Sequence, residues 1–322
     1  MWEMKHLRLL IAIEDGGSLS AAARELGYSQ PAVSQQLQVL EHAARTPLVI
    51  RDRPGTRFTE AGAVLTRHAR MIVAAAARAE SEVSAIAGLR RGNLRLVSFP
   101  SAAATVLPRA FADLRTRLPG LSFTLREAES AAAMAMLRAG ECDIAIVYEW
   151  VTPGLEGRHR ITLEPGERSV TLVEESVQVA MPEAHSQASH ACVELESLAG
   201  ETWIAGCPVC RAQLLEIADH SGFAPRIGFE TDDYVALQRL VGAGLGVALV
   251  TDLMLDAARD DRGLVLRQLM PAVKRVVMAV TSEAVLQVPG VSETIGAFVE
   301  AGRMLAGDGA GHVAQSRSSA AL

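Results

Sequence analysis

Aromatic side chains are scarce in this chain: Phe, Trp and Tyr together make up 4% of its 322 residues. An aromatic-rich β-sandwich core is therefore not expected, and the alanine-heavy apolar share suits close-packed helices. Cysteine is also rare, with four in the whole chain. That is too few for a disulfide framework and points to a reduced, cytoplasmic protein. No run of about 18 uncharged apolar residues occurs, so no membrane span is expected. The first residues, Met1-Trp2-Glu3-Met4-Lys5-His6, carry an early acid and do not read as a secretory signal.

Enzyme signatures are missing as well. The chain has no Gly-x-Ser-x-Gly elbow, no paired-histidine metal motif and no dinucleotide fingerprint. Gly242-Ala243-Gly244-Leu245-Gly246 is wrongly spaced for a phosphate loop and precedes an apolar run instead of following one. No enzymatic activity, cofactor or metal is expected. A purely architectural DNA-bending protein is the other class weighed, but it would need no large second domain.

Hydrophobic residues reach 49%, enough for a sizeable core. Net charge is −6, unpromising for a nucleic-acid binder. Its distribution is less so. Residues 1–95 hold 13 basic against nine acidic side chains, and the remainder is acidic. The excess is weak, and residues 1–60 balance at zero.

Four regions succeed one another. Residues 1–58 alternate short helical patterns with turn signals. Asp15-Gly16-Gly17 stops the first helix, Ser18 caps a second over Ser20–Leu26, and Gly27 ends it. Ser29 caps a third helix with Pro31 in its first turn. Val33, Leu37 and Leu40 keep one side of that helix against a core. Two short helices, a tight turn and a longer helix spell a helix-turn-helix. The outer side carries Gln30, Ser34, Gln35 and Gln38, and amide side chains can donate to and accept from one base edge in a major groove. The stretch Leu48 to Phe58 then reads as two short strands around Pro54-Gly55. That makes a wing bearing Arg51, Arg53 and Arg57, suited to phosphates or a minor groove.

Residues 59–89 form one alanine-rich helical stretch about 45 Å long, with Thr59 as its cap. Residues 92–306 alternate strand-like and helical patterns, as an α/β domain does. Residues 307–322, rich in Gly, Ser and Ala, are expected to be a disordered tail.

The run Ser20-Ala21-Ala22-Ala23-Arg24-Glu25-Leu26-Gly27-Tyr28-Ser29-Gln30-Pro31-Ala32-Val33-Ser34-Gln35-Gln36-Leu37 closely resembles the LysR-type transcriptional regulators. The match continues through Leu40-Glu41, Pro47-Leu48 and Phe58-Thr59-Glu60-Ala61-Gly62. The resemblance implies a multidomain α+β/α/β protein. Its parts would be an N-terminal winged helix-turn-helix, a long linker helix and a two-lobed, periplasmic-binding-protein-like α/β effector domain. The first lobe of that domain would cover about 92–162 and 269–306 and its second about 163–268. It implies that Gln30, Pro31, Ser34 and Gln35 approach bases, and that Arg51 and Arg53 in the wing touch DNA. Two departures stand out. Glutamine replaces the family's frequent arginine at Gln35, and the usual glycine near Ala43-Ala44-Arg45 is absent.

The implied partners are double-stranded operator DNA, a second copy of the chain in a homodimer or homotetramer, and a small-molecule effector in the inter-lobe cleft. RNA polymerase is a further candidate partner, and no membrane is. Ser101 and Ser130 stand where strands turn into helices, and the resemblance places them in the cleft with Pro208, Cys210 and Asp232 opposite. Two helix N-termini would favour an anionic effector, while a plain capping role is the alternative for each serine. Cys207-Pro208-Val209-Cys210 is open to three readings: pocket lining, a redox pair or a metal site. The redox reading makes a thiol-sensing regulator, using Cys207 and Cys210, the alternative function.

Overall fold

A computed structural model describes residues 2–52, 55–86, 92–155, 160–258 and 262–318. The chain divides into two compact units, the first formed by residues up to 87 and the second holding most of residues 88–322.

The first unit begins with three helices, α1 (Met4–Gly16), α2 (Leu19–Leu26) and α3 (Gln30–Ala44). The capping residues the sequence offers are used. Ser18 Oγ accepts from the Ala21 N–H and Ser29 Oγ from the Ala32 N–H, each meeting a donor the helix cannot satisfy itself. Gly27, at φ 69°, closes α2 in the left-handed region that glycine enters freely. Apolar residues at helical spacing converge on one core: Leu9, Leu10 and Ile13 from α1, Ala22 and Ala23 from α2, Val33, Leu37 and Leu40 from α3. Each large aliphatic buried there contributes about 1.5–3 kcal/mol.

α3 leaves through Arg45, at φ 56°, whose N–H bonds back to the carbonyls of Glu41 and His42. The resemblance leads one to expect a glycine in this segment. An L side chain holds the left-handed position there. Glu41 then pins the entry to the wing, its Oε1 accepting from the N–H groups of Leu48 (2.8 Å) and Val49 (3.3 Å). Strands β1 (Val49–Asp52) and β2 (Gly55–Phe58) pair antiparallel as the expected wing. Thr59 stitches the exit: its N–H reaches Leu48 O, its hydroxyl donates to Pro47 O, and its Oγ accepts from the Gly62 N–H. Helix α4 (Glu60–Ile86) runs from there. A Cβ on Gly62 would stand 1.9 Å from Leu48 O, which explains why glycine ends the Phe58-Thr59-Glu60-Ala61-Gly62 run. Arg70 on α4 bonds the carboxylates of Glu14 and Asp15, tying the long helix to α1.

The second unit is built on a seven-stranded mixed sheet. Strand β3 (Gly92–Ser98) leads through α5 (Pro100–Ala104) and α6 (Val106–Arg117) to β4 (Leu121–Glu127), then α7 (Ser130–Arg138) and β5 (Ile144–Val151). β3 pairs parallel with β4 and β5. Residues 144–148 are buried without alternation, as a central strand covered on both faces requires. The helical stretch after β3 is interrupted at Thr105, whose hydroxyl bonds back to Ser101 O.

Two long strands join the lobes. β6 (Glu167–Pro182) and β11 (Leu264–Ser282) pair antiparallel along nearly their whole length. Residues 274–280 of β11 pair with β5, and β6 lies on the other side of β11. The other halves of β6 and β11 carry β10 (Ala248–Thr251) on β6 and β7 (Cys192–Glu194) on β11. The lobe boundaries near 163 and 269 thus fall before and within continuous strands. A register shift between Gln268 and Val273 marks the transition on β11. The second lobe adds β8 (Thr202–Ala205), α8 (Pro208–His220), β9 (Arg226–Glu230), α9 (Tyr234–Gly242) and α10 (Asp252–Ala257). The chain returns over the first lobe through α11 (Glu283–Leu286) and α12 (Pro289–Ser318). α12 continues to Ser318, where a disordered tail from 307 was expected. No proline follows Pro289, so the backbone ladder meets no obligatory break.

Candidate functional site: a recognition helix and an inter-lobe cleft

In the first unit, Val33, Leu37 and Leu40 are fully buried, which fixes the rotation of α3 about its axis. Gln30, Pro31, Gln35 and Gln38 are consequently exposed, and Ser34 is half-buried between them. Four of the six predicted DNA-contacting residues thus share one helix and its open side. Arg51 lies in β1, in register with Thr56. Arg53 lies outside the described residues. Arg57 on β2 is exposed.

Elements of both lobes of the second unit meet at a buried ion pair. Arg275 on β11 and Glu175 on β6 are 3% and 2% exposed. Arg275 Nε donates to Glu175 Oε1, and Glu175 Oε2 accepts from the Leu253 N–H at the start of α10. Arg275 Nη2 donates to Ser101 Oγ (3.0 Å) and Thr251 Oγ1 (3.2 Å). The guanidinium lies over the rings of Phe99 and Tyr148, 4.9 and 4.6 Å from their centroids. Burial works against its charge, but the Glu175 carboxylate more than offsets this and raises the pKa above the usual arginine value.

Ser101 is therefore at the predicted place with a different role. It is fully buried, the backbone cap of α5 is Phe99, and its hydroxyl is engaged by Arg275 and by the Tyr234 hydroxyl. Burial, against the pull of that bond, pushes the Tyr234 phenol up to about 12. Ser130 opens α7, and its Oγ accepts from the Tyr148 N–H (3.0 Å). The Tyr148 hydroxyl donates to Glu129 Oε2 (2.7 Å), and burial holds that phenol well above its ordinary pKa.

Across from these, Cys207 caps α8. Its sulfur accepts from the Cys210 N–H (3.4 Å) and lies 3.1 Å from the Cys210 sulfur. Both are free thiols. Pro208 comes next as the first helical residue and is exposed. Asp232 is exposed too. Its neighbour Asp233 caps α9, and the residue from this segment that reaches Ser101 is Tyr234. Arg275, Glu175, Thr251, Tyr148, Tyr234 and Glu129 were not singled out from the sequence. Glu174-Glu175 and Lys274-Arg275 interrupt apolar strands as short charged pairs, the one signal that could have flagged Glu175 and Arg275.

A winged helix-turn-helix with an open amide-bearing helix, together with a two-lobed α/β domain whose lobes meet over a buried polar network, is the architecture of a ligand-responsive DNA-binding protein. Residues 4–63 match the family model described as bacterial regulatory helix-turn-helix protein, lysR family, and residues 87–303 match the LysR substrate binding domain. The chain belongs to the LysR family and is a LysR-type DNA-binding transcriptional regulator. Among its relatives is the regulator ShiR of Corynebacterium glutamicum, 31% identical over 257 residues, covering 77% of this chain and 82% of that one. The probable RuBisCO transcriptional regulator of Emiliania huxleyi is 28% identical over 253 residues, 77% and 78% of the two chains. The fold is also that of a point variant of full-length OxyR from Pseudomonas aeruginosa, with a TM-score of 0.68, 18% identity, and 92% and 95% coverage. Full-length CbnR complexed with its target DNA gives a TM-score of 0.63 at 22% identity, with 93% and 100% coverage. Among the described residues no helix is long and apolar enough to cross a membrane.

Proposed function

We propose that α3 reads operator DNA through Gln30, Pro31, Ser34 and Gln35, and that the wing, with Arg51, Arg53 and Arg57, holds the flanking phosphates. The observation that carries this reading is the exposure of Gln30, Pro31 and Gln35 along a helix whose opposite side is locked into the core. The CbnR–DNA complex supports it by fold. Two copies would join through α4, where Val64, Met71 and Ile72 are 41–56% exposed, presenting two recognition helices to a pseudo-symmetric site. The protein acts in the cytoplasm as a regulator and not as an enzyme.

The cleft residues Ser101, Ser130, Pro208, Cys210 and Asp232 mark where a small effector binds, with Tyr234 added. An effector bearing an anionic group is the reading supported by the helix N-termini at Ser101 and Ser130. Purified protein would be offered random duplexes, and the bound pool sequenced with and without small organic acids. A recovered palindromic motif whose occupancy shifts with an acid is the expected result. A pool without any motif would refute the operator reading. Calorimetric binding of neutral or cationic compounds alone would refute the anionic one.

A further inference from the structure

The end of β5 runs beside α8, and two contacts set the level of one against the other. The Tyr148 phenol on β5 feels the Cys210 thiol on α8. Further along, a Cβ on Gly154 would stand 2.4 Å from His220 Nε2. Trp150 and Thr152 lie between these contacts on one side, and Gln213 on the other. Leu155, Leu214, Ile217 and Trp203 form one buried cluster there, with Trp150 packed against it.

This junction buries polar groups that the protein does not satisfy. Gln213 is 2% and Thr152 5% exposed. Trp150 Nε1, Thr152 Oγ1 and both Gln213 amide atoms are buried without a hydrogen-bond partner. Native interiors rarely leave such groups, because each then forfeits its bonds to water. Their grouping is telling. Among the described residues seven side chains hold an orphaned buried atom, and two of these, His185 and Arg211, still face carboxylates. Of the other five, Trp150, Thr152, Trp203 and Gln213 lie in or beside this one cluster.

We infer that Trp150, Thr152 and Gln213 form a subsite for an uncharged primary carboxamide carried by the effector. The inference rests on the reading of the inter-lobe region as the effector site. β5 belongs to the first lobe and α8 to the second, so the subsite lies where the two meet.

The donor and acceptor count selects the group. Gln213 presents an acceptor oxygen and a donor nitrogen, Trp150 a donor only, and the Thr152 hydroxyl takes either part. A primary carboxamide carries two N–H donors and an oxygen with two lone pairs. Its N–H groups would donate to Gln213 Oε1 and Thr152 Oγ1. Its oxygen would accept from Gln213 Nε2 and Trp150 Nε1. All four orphaned atoms are then used. A hydroxyl has a single hydrogen and leaves one acceptor unmet. A carboxylate has none, and its charge would sit among Leu155, Leu214 and Ile217. An ammonium group has no acceptor for Trp150.

The test uses the full chain, 15N-labelled, with succinamate, its N,N-dimethyl amide and propionamide as probes. The chain has three tryptophans, so three indole N–H signals are expected, and Trp150→Phe assigns one. Succinamate and propionamide should each move the Trp150 signal downfield as its N–H gains an acceptor. Calorimetry should show succinamate binding at least about tenfold tighter than the dimethyl amide, which lacks both N–H donors. In Gln213→Leu that ratio should fall towards one, while the unliganded variant keeps or gains Tm because an orphaned amide is gone. Thr152→Val, which keeps the side-chain shape, should lower the ratio by itself. Equal affinities for the two amides in the wild type, as water filling the subsite would give, would overturn the inference. An unchanged ratio in Gln213→Leu, or a Trp150 signal that moves with neither succinamate nor propionamide, would do the same. The underlying reading fails differently. If propionamide binds and the carboxylate of succinamate adds nothing, the anionic reading falls and the subsite stands. If acids bind and the amide adds nothing, the subsite falls and the effector reading stands.

Discussion

Arg275 and Glu175 face each other across β11 and β6 as register partners, both buried, though 100 positions apart in the chain. Through this pair the core of the cleft is tied together. Glu175 holds the start of α10 by the Leu253 N–H, and Arg275 holds Ser101 beyond β3 and Thr251 at the end of β10.

Removing one partner should leave the other charge buried and unpaired. Glu175→Gln or Arg275→Met is expected to lower unfolding free energy by about 3–5 kcal/mol, read from urea denaturation of the full chain. Replacing both together should recover much of that loss. Additive losses in the double variant would contradict a direct pairing role.

On the DNA side, Gln35→Ala should relax base preference at one operator position. Arg57→Ala should weaken specific and random duplexes alike and reduce the log–log salt slope by about one. Quantitative gel shifts at several salt concentrations measure both. Equal losses on specific and random DNA for Gln35→Ala would remove Gln35 from base reading.

Arg45 holds a left-handed backbone conformation that costs an L residue about 1–2 kcal/mol. Glycine relieves that cost but loses more backbone freedom on folding. Arg45→Gly should therefore raise stability by a net of about 0.5–1 kcal/mol, visible as a higher Tm. Unchanged or lower stability would mean the Arg45 side chain contributes more than its backbone costs.

Gly62→Ala should be costly for a contact reason. The new Cβ would meet the Leu48 carbonyl, the same group that receives the Thr59 N–H. A loss of about 1–3 kcal/mol is expected, together with weaker DNA binding as the wing shifts from α4. Wild-type stability in this variant would show that α4 moves aside freely.

Cys207 should alkylate at lower pH than an ordinary thiol. Its pKa is depressed, so its thiolate persists as pH falls, until the folded-state pKa is crossed. Facing it are the Cys210 thiol, the Val209 and Cys210 N–H groups, and the opposing charge of Glu129. Iodoacetamide labelling rates against pH, resolved by peptide, report it. A Cys207 profile centred at or above about 8.5 would contradict the assignment.

The sequence determined on its own what local rules govern. Ser18, Ser29 and Gly27 set the ends of α2 and α3, and the spacing of Val33, Leu37 and Leu40 decided which side of α3 stays open. Caps and periodicity act within a few residues, so both were legible. The alternation of strand-like and helical patterns over residues 92–306 was legible for the same reason. Only the tertiary structure decided the cleft. β6 and β11 run through both lobes because antiparallel pairing extends each along the other, a long-range register that no window of either strand contains. That register sets Glu175 beside Arg275, carries Arg275 to Ser101, and leaves Tyr234 rather than Asp232 at the serine. Distant charges and hydroxyls meet only after the sheet has closed, and their mutual satisfaction is what makes their burial tolerable.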